Sequence, residues 1–221
     1  MDDKIYIWKD YFMKNTTTSI INDLIRELKK LQGFESVIQK ALVILTNCYA
    51  SGKKVLICGN GGSAADAMHV VGELMKGFIL KRPLLQEEQI YSEYINKGLQ
   101  RALPAISLVS ETALMTAYTN DCSADLVFAQ QVYGYGVTDD VLIALSTSGN
   151  SENILYAAEV AKGKGMSVIS LTGKDGGKLK ILSDVSICVP ETEAYKIQEL
   201  HLPIYHALCK ALENEFFGEM I

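Results

Sequence analysis

Two apolar runs that each end in small, turn-forming residues constrain the fold of this chain more than any other feature. The first run, residues 55–58, leads into Gly59, Asn60, Gly61, Gly62 and Ser63, and a helical pattern follows at once. A buried strand that feeds a glycine-rich turn at a helix start directs several backbone N–H groups to one point, which suits a phosphate. Sharp turns need glycine for steric reasons as well, so this loop alone leaves a purely structural interpretation open.

The second run, residues 141–145, is followed by a loop rich in hydroxyl groups. Directly before another helical pattern, this loop holds one glycine, three serines and one threonine: Gly149, Ser146, Ser148, Ser151 and Thr147. Capping of that helix needs only one hydroxyl, so the others favour a phosphate-binding nest over ordinary capping. Because parallel sheets bind ligands outside the carboxyl ends of their strands, both loops are expected to face one small phosphorylated molecule.

The order of the apolar patterns predicts an α/β fold with one doubly wound, five-stranded parallel sheet in a single domain over residues 1–221. Helical spacing marks two N-terminal helices within residues 1–50 and a long last helix over residues 193–217, in which Pro203 predicts a kink near residues 199–203. Between them the pattern predicts strands at residues 54–58, 105–109, 140–145, 166–171 and 184–189, and helices at residues 63–78, 111–119, 122–136 and 151–164. Residues 81–104 are interpreted as an inserted helical segment, with a surface helix at residues 85–94.

Composition narrows the classes of function. The 221 residues carry a formal net charge of −5 and no basic run, which argues against nucleic acid as a partner and leaves a phosphate to be held by N–H and hydroxyl groups. The five cysteines are odd in number and show no CxxC spacing, which indicates free thiols in a reducing compartment. We recognise no signal peptide and no apolar run of membrane length, so we expect a cytoplasmic location and no membrane partner.

The three histidines are concentrated on two predicted helices. His69 and Glu73 are four residues apart, so they share one helix face and could form half of a metal site. His201 and His206 both lie in the last helix, close to Gln198. An isolated histidine–glutamate pair is more often a solvated pair on a helix surface. The placement of all three histidines on helices around the glycine turn favours a functional role instead.

Six blocks of residues together resemble the sedoheptulose-7-phosphate isomerases, also called phosphoheptose isomerases, of the sugar isomerase (SIS) fold. In chain order the blocks are residues 59–63, residues 66–73, Asn120 with Asp121, residues 146–151, residues 171–177 and residues 197–206. The resemblance covers nearly the whole chain apart from the extreme N-terminus and the insertion. It implies a homotetramer with active sites between subunits, in which the N-terminal helices of residues 1–50 pack in the oligomer.

The resemblance also implies roles for individual residues. It assigns substrate binding to Asn60, Gly61, Gly62, Ser63, Glu73, Asn120, Asp121, Ser146, Thr147, Ser148, Ser151 and Gln198. It assigns a Zn²⁺ ion to His69, Glu73, Gln198 and His206. Within that set, Glu73 and His206 correspond to the catalytic acid and base that move a proton between C1 and C2 of the sugar.

These residue types suit the implied reaction. Conversion of a ketose into an aldose removes a proton from a carbon beside the carbonyl, forms an enediol and returns a proton to the neighbouring carbon. A carboxylate and an imidazole provide a base and an acid near neutral pH, and Zn²⁺ polarises the carbonyl oxygen. A zinc-bound group is a poorer proton carrier, so whether metal ligation and proton transfer alternate stays open.

The spacing of two implied zinc ligands predicts a contribution from a second subunit. Gln198 and His206 are eight residues apart, which corresponds to roughly 12 Å along a regular helix. Both side chains of one helix would then have difficulty reaching one ion. We therefore expect a neighbouring subunit to supply one of them, so that an isolated monomer would be inactive.

Two departures from the family pattern leave the exact sugar open. Tyr195 stands where the family usually has aspartate, with Glu193 nearby, and Gly77, beside Lys76, stands where the family often has arginine. One alternative is therefore an isomerase of another sugar phosphate. A second alternative is a non-catalytic SIS binding protein, such as the relatives that bind the replication initiator DnaA. The presence of both acid–base candidates argues against this second alternative.

Overall fold

The computed structural model describes residues 13–218, and these contain one five-stranded parallel sheet. The strands are β1 (Val55–Gly59), β2 (Ala105–Ser107), β3 (Val141–Leu145), β4 (Ser167–Thr172) and β5 (Val185–Cys188), in the spatial order β2-β1-β3-β4-β5. The predicted α/β fold and all five predicted strands are confirmed, although β2 ends at Ser107 rather than at residue 109. Gly59 at the end of β1 is paired with Leu145 at the end of β3, so the loops that follow leave the sheet side by side.

Helices cover both faces of this sheet. In the described part of the chain they are α1 (Asn15–Glu27), α2 (Glu35–Ala50), α3 (Gly62–Met75), α4 (Glu93–Gly98), α5 (Thr112–Asp121), α6 (Val127–Tyr135), α7 (Glu152–Gly163), α8 (Leu179–Leu182) and α9 (Ala194–Phe217). The two predicted N-terminal helices correspond to α1 and α2, while residues 1–12 of that region lie outside the described residues. The long C-terminal helix is confirmed as α9.

Alternating residues of the central strands separate two hydrophobic cores. Ile57 of β1 and Ile143 of β3 belong to a core with buried residues of α1, α2, α3 and α9. Leu56 and Leu142, which point to the opposite face, belong to a second core with α6, α7 and α8. This period of two, with both faces apolar, is the pattern expected of a parallel sheet buried between helical layers.

Helix α3 ends earlier than predicted. It stops at Met75 instead of residue 78, and Lys76 has extended backbone angles. The reason is a contact that local periodicity does not contain, because the N–H groups of Phe78, Ile79 and Leu80 donate to the carboxylate of Glu213 at 2.7, 2.8 and 2.9 Å. These N–H groups are therefore turned toward α9 and away from the carbonyls of α3.

Two other predicted helices also differ from the structure. The helix predicted at residues 122–136 begins with a 3-10 turn at Ala124–Leu126, and α6 starts only at Val127. The surface helix predicted at residues 85–94 is wrong, since a 3-10 turn at Gln86–Glu88 and α4 occupy that region. The Asn96 side chain bonds both the N–H and the carbonyl of Tyr91, which holds the chain in a turn where the helix was predicted.

Helix α9 connects the parts of the molecule that carry the predicted site. It packs against α1, α2 and α3, and its assignment continues through Pro203. The kink near residues 199–203 stays a prediction. His201, which is fully buried, contacts the carbonyl of Thr172 at 3.2 Å and so ties α9 to the end of β4.

Two structural findings concern membrane spans and cysteines. None of the helices described for this chain has the length and apolar character needed to cross a membrane. The five cysteines are all free thiols in the structure, and Cys48, Cys58 and Cys209 are buried.

Candidate active site

The two loops singled out in the sequence meet at the carboxyl edge of the sheet. They follow β1 and β3, which are the neighbouring strands at which the strand order reverses. Asn60 of the first loop and Asn153, at the start of α7, exchange two side-chain hydrogen bonds of 2.9 and 3.0 Å. Such a reversal point is where open parallel sheets bind their ligands. The expectation that both loops face one molecule therefore has a geometric basis.

The loop of residues 146–151, called here the serine/threonine loop, forms a tight turn with hydroxyls on its surface. The Oγ atoms of Ser146 and Ser151 are 3.1 Å apart, and Gly149 has a φ of +64°. Ser146 is buried and Thr147 is half-buried, whereas Ser148 is exposed and accepts a hydrogen bond from the N–H of Asn150. The exposed end of the loop thus presents the Ser148 hydroxyl at the amino end of α7.

The loop of residues 173–178, which follows β4 and contains Gly173, Gly176 and Gly177, packs against the serine/threonine loop. The N–H of Gly173 donates to the carbonyl of Thr147 at 2.9 Å, and the N–H of Leu179 donates to the carbonyl of Gly149 at 2.9 Å. The two loops approach so closely that a Cβ atom on Gly149 would lie 2.1 Å from the Gly176 carbonyl oxygen. The shape of the serine/threonine loop is therefore set by backbone contacts within this chain.

The first loop leads into α3, and Gln198 of α9 covers it. Gly61 has a φ of +56°, and Ser63 in the first turn of α3 is buried. A Cβ atom on Gly62 would lie 2.7 Å from both terminal atoms of the Gln198 side chain. This close approach brings the end of the Gln198 side chain to the first turn of α3.

Further along the same helices, two histidines and a glutamate form a cluster, called here the His–Glu–His cluster. His69 Nε2 is 3.2 Å from Glu73 Oε1 and 3.5 Å from His206 Nε2. Burial lowers the pKa of His206 and the nearby His69 lowers it further, while Glu73 opposes the shift. Lys76 pairs with the other Glu73 oxygen at 3.1 Å. The structure thus brings together three of the four residues predicted as metal ligands.

The fourth predicted ligand, Gln198, lies apart from this cluster within one chain. It contacts Gly62, and Gly62 precedes His69 by seven residues on α3, or roughly 10 Å along the helix axis. Among residues 13–218, no three histidine, cysteine or acidic side chains are already arranged as a metal centre. A single chain therefore offers three of the four donors at one place and the fourth at another.

Asn120 and Asp121, predicted to contact sugar hydroxyls, lie at the end of α5. The Asn120 amide donates to the Asp121 carboxylate at 2.8 Å, and both residues are exposed. None of the ten residues of α5 is buried, and Asn120 lines an open cavity of about 600 Å³ together with Met115, Thr116 and Thr119. The structure of one chain does not bring this pair into contact with the two loops.

Sequence reasoning gave no role to Tyr205, which contacts the His–Glu–His cluster, or to Asp66, which contacts Tyr205. The Tyr205 hydroxyl is 3.2 Å from Asp66 Oδ1 and 3.1 Å from His69 Nδ1. Asp66 belongs to the helical pattern that carries His69, so its position was visible in the sequence. No sequence signal distinguished Tyr205, which precedes His206, from an ordinary core tyrosine.

A buried ion pair, also missed, fixes the turn that contains Glu73. Arg82 is 1% exposed, and its Nε lies 2.8 Å from Glu213 Oε1. The same guanidinium donates to the carbonyls of Leu74 at 2.7 Å and Glu73 at 3.2 Å. Burial alone would raise the pKa of Glu213, but three backbone donors and Arg82 reverse the effect and lower it. Arg82 and Glu213 thus tie the end of α3 to α9.

The two departures from the family pattern differ in what surrounds them. A Cβ atom on Gly77 would lie 2.4 Å from the Leu80 carbonyl oxygen, so this backbone has no room for an arginine there. The turn after α3 has a local shape that requires glycine. Tyr195, by contrast, is exposed at the start of α9, where its ring lies beside Lys196.

Comparison with known proteins places this geometry in a family. The family model described as the SIS domain matches residues 19–103 and 89–173. The phosphoheptose isomerase of Helicobacter pylori strain P12 is 42% identical over 188 residues, which cover 85% of this chain and 88% of that protein. The phosphoheptose isomerase of Clostridium acetobutylicum is 39% identical over 213 residues, which cover 95% of this chain and 99% of that protein.

Solved structures agree with the sequence relatives. A phosphoheptose isomerase from Neisseria gonorrhoeae superposes with a TM-score of 0.72 at 32% identity, and one from Francisella tularensis with a TM-score of 0.73 at 33% identity. Each alignment covers 90% of this chain and 97% of the solved chain. The chain belongs to the phosphoheptose isomerases, within the SIS domain family.

Proposed function

We propose that this protein is an aldose–ketose isomerase that converts sedoheptulose 7-phosphate into D-glycero-D-manno-heptose 7-phosphate through an enediol. The observation that carries the proposal is the His–Glu–His cluster, which is held on the same two helices that frame the glycine loop. An acid–base cluster beside a phosphate-binding edge is what isomerisation of a phosphorylated sugar requires.

In this proposal the serine/threonine loop binds the phosphate of the substrate. Its hydroxyl donors are Ser146, Thr147, Ser148 and Ser151, and the start of α7 adds backbone N–H groups and the positive end of a helix dipole. Asn60, Gly61, Gly62 and Ser63 of the first loop face the same edge of the sheet. The phosphate thereby anchors one end of the sugar and leaves the other end free to reach the cluster.

Proton transfer is assigned to Glu73 and His206. One of them removes the proton from C1 beside the carbonyl, and the other donates a proton to the C2 carbonyl oxygen as the enediol forms. A proton is then returned to C2, and the hydroxyl on C1 loses its proton to give the aldose. A carboxylate is ionised at neutral pH, and an imidazole titrates near it, so this pair can serve as base and acid.

The types of donor support zinc at this cluster, because two imidazoles and a carboxylate are groups that Zn²⁺ takes as ligands. Neighbouring ligands of a tetrahedral zinc ion with bonds of about 2.0–2.1 Å lie roughly 3.4 Å apart. The two distances from His69 Nε2, 3.2 Å to Glu73 and 3.5 Å to His206, match that edge. His69, Glu73 and His206 would hold Zn²⁺, with Gln198 of a partner subunit as the fourth ligand. When bound, the ion polarises the sugar carbonyl as a Lewis acid.

A homotetramer with active sites between subunits is part of the proposal. It would bring Gln198 of one copy to the cluster of another, and it would give α5 a surface to pack against. Asn120 and Asp121 would then contact sugar hydroxyls across that interface. The five free thiols support a reducing compartment, and we propose the cytoplasm.

One experiment tests the assignment and separates it from the alternatives. Purified protein is incubated with sedoheptulose 7-phosphate and with pentose and hexose phosphates, with and without Zn²⁺, and aldose formation is measured. We expect turnover of the heptose phosphate. Faster turnover of a different sugar phosphate would overturn the substrate assignment, and binding without turnover of any sugar would favour a non-catalytic protein.

The Glu73→Gln variant tests the proton-transfer role. It keeps the size of the side chain but removes its ability to take a proton, so turnover is expected to fall about 10²- to 10⁴-fold while the sugar phosphate still binds. Zinc content is measured alongside, because Glu73 is also a proposed ligand. The exposed Glu159→Gln change serves as control. A metal-replete Glu73→Gln variant with wild-type turnover would exclude Glu73 as the acid or base.

A further inference from the structure

The hydroxyl of Tyr205, a buried residue, contacts two residues of α3, Asp66 and His69. Tyr205 is 4% exposed, and its ring lies against His69 at 5.6 Å and against His206 at 5.0 Å between centroids. Its hydroxyl oxygen is 3.2 Å from Asp66 Oδ1 and 3.1 Å from His69 Nδ1. Asp66 and His69 are one turn apart on α3, so one hydroxyl from α9 reaches both.

The chemistry of these groups fixes the direction of both hydrogen bonds. An ionised carboxylate only accepts, so the Tyr205 hydroxyl donates its proton to Asp66. The lone pair of that hydroxyl is then left to accept from His69, which must carry a proton on Nδ1. Since a neutral imidazole has only one N–H, Nε2 is left with a bare lone pair.

That lone pair faces the proposed metal position. His69 Nε2 is the atom that lies 3.2 Å from Glu73 and 3.5 Å from His206. Without the hydroxyl, the acceptors left within reach of His69 among the contacts described here both face Nε2: the Glu73 carboxylate at 3.2 Å and His206 Nε2 at 3.5 Å. The proton of His69 is then attracted to Nε2. A protonated Nε2 cannot bind a metal ion.

We infer that Tyr205, supported by Asp66, is a positioning residue that holds His69 in the Nδ1–H form and so presents Nε2 to the metal. This inference rests on the proposed function of the cluster. Hydrogen-bonding partners of metal-bound histidines commonly set the tautomer and the orientation of the ring, and their loss costs about 10- to 100-fold in metal affinity.

The test is the Tyr205→Phe variant, which removes the hydroxyl but keeps the ring that packs on both histidines. Tyr49→Phe is a matched control, because Tyr49 is also buried, its ring packs on Phe216 of the same helix α9, and its hydroxyl has no hydrogen-bond partner among the described residues. Full-length, metal-free protein is titrated with zinc against a competing chelator. We expect the Kd for zinc to rise about 10- to 100-fold in Tyr205→Phe and to stay at the wild-type value in Tyr49→Phe.

A second measurement does not depend on metal. The chain has only three histidines, so the protonation of each ring nitrogen can be followed by nitrogen NMR of the metal-free protein. His69 is expected to carry its proton on Nδ1 in the wild type and in Tyr49→Phe, and to shift toward Nε2 in Tyr205→Phe.

The outcomes separate the inference from the function on which it rests. Unchanged zinc affinity and an unchanged His69 tautomer in Tyr205→Phe would overturn the inference, and so would an equal loss of affinity in both variants. Wild-type protein that binds no zinc would overturn the metal part of the proposed function and with it the role of Tyr205 in metal binding. The tautomer measurement would still show whether Tyr205 orients His69.

Discussion

The residues of the candidate site differ in how firmly one chain holds them. The serine/threonine loop is supported from behind by main-chain hydrogen bonds from Gly173 and Leu179, and the turn that contains Glu73 is tied to α9 by Arg82 and Glu213. Helix α5, which ends in Asn120 and Asp121, has no buried residue. The chain by itself thus fixes the residues proposed for phosphate binding and proton transfer. The residues proposed to contact sugar hydroxyls lie on a helix without buried residues.

This difference has an energetic basis. An isolated helix of about ten residues is marginal in water, because most helix stability in proteins comes from packing of an apolar face. Leu114 of α5 is 37% exposed, so its apolar side chain remains partly in water. The supported residues, by contrast, are fixed by hydrogen bonds between buried groups. We therefore expect substitutions of the supported residues to change the free energy of unfolding. Substitutions on α5 should change substrate binding only.

The largest expected effect follows from breaking the buried ion pair. Arg82→Met leaves the Glu213 carboxylate buried without its charged partner. It also removes the two N–H groups that donate to the carbonyls of Leu74 and Glu73 at the end of α3. Breaking such a pair typically costs about 3 to 5 kcal/mol, which urea unfolding would measure. Lys97→Met is the control, since it breaks an exposed pair on α4 that is worth about 0.5 kcal/mol or less. If both variants lost the same stability, the turn at Glu73 would not be supported as described.

A smaller effect is expected from Gly149→Ala in the serine/threonine loop. A side chain at a φ of +64° costs about 1 to 3 kcal/mol in strain, and its Cβ would overlap the Gly176 carbonyl. The loop must then shift, so the KM for the sugar phosphate should rise by roughly tenfold or more, the contribution of one hydrogen bond to a charged group. Gly163→Ala, at the open end of α7, should be neutral or stabilising by up to about 1 kcal/mol. A wild-type KM for Gly149→Ala would show that the shape of the loop is not needed for binding.

Local sequence patterns predicted the elements of the fold because those elements depend on local periodicity. The strands are short runs that are apolar on both faces, and α3 and α9 show helical spacing, so both were predictable. The end of α3 at Met75 was not, because it depends on a carboxylate more than 130 residues away at Glu213. Arg82 was missed for the same reason, since it lies in a stretch that the sequence marked only as an insertion.

The candidate site was predictable to different degrees for the same physical reason. The pairing of His69 with Glu73 follows from their spacing on one helix, and the structure confirms that their side chains meet. The approach of His206 and the contact of Gln198 with Gly62 depend on how α9 crosses α3, which no local pattern contains. The family resemblance supplied those residues, whereas Tyr205 became visible only from its contacts.

The smallest expected effect concerns α5, which has no buried residue. Asn120 is exposed at the end of α5 and bonds only Asp121 among the side-chain contacts described, so Asn120→Ala should change the free energy of unfolding by no more than about 0.5 kcal/mol. If Asn120 contacts a sugar hydroxyl, loss of one neutral hydrogen bond should raise the KM roughly two- to tenfold. Asn96→Ala, which removes a half-buried amide from the 81–104 segment, is the control and should leave the KM unchanged. A stability loss above about 1 kcal/mol in Asn120→Ala would show that α5 is supported within the chain, and a wild-type KM would remove Asn120 from the substrate-binding residues.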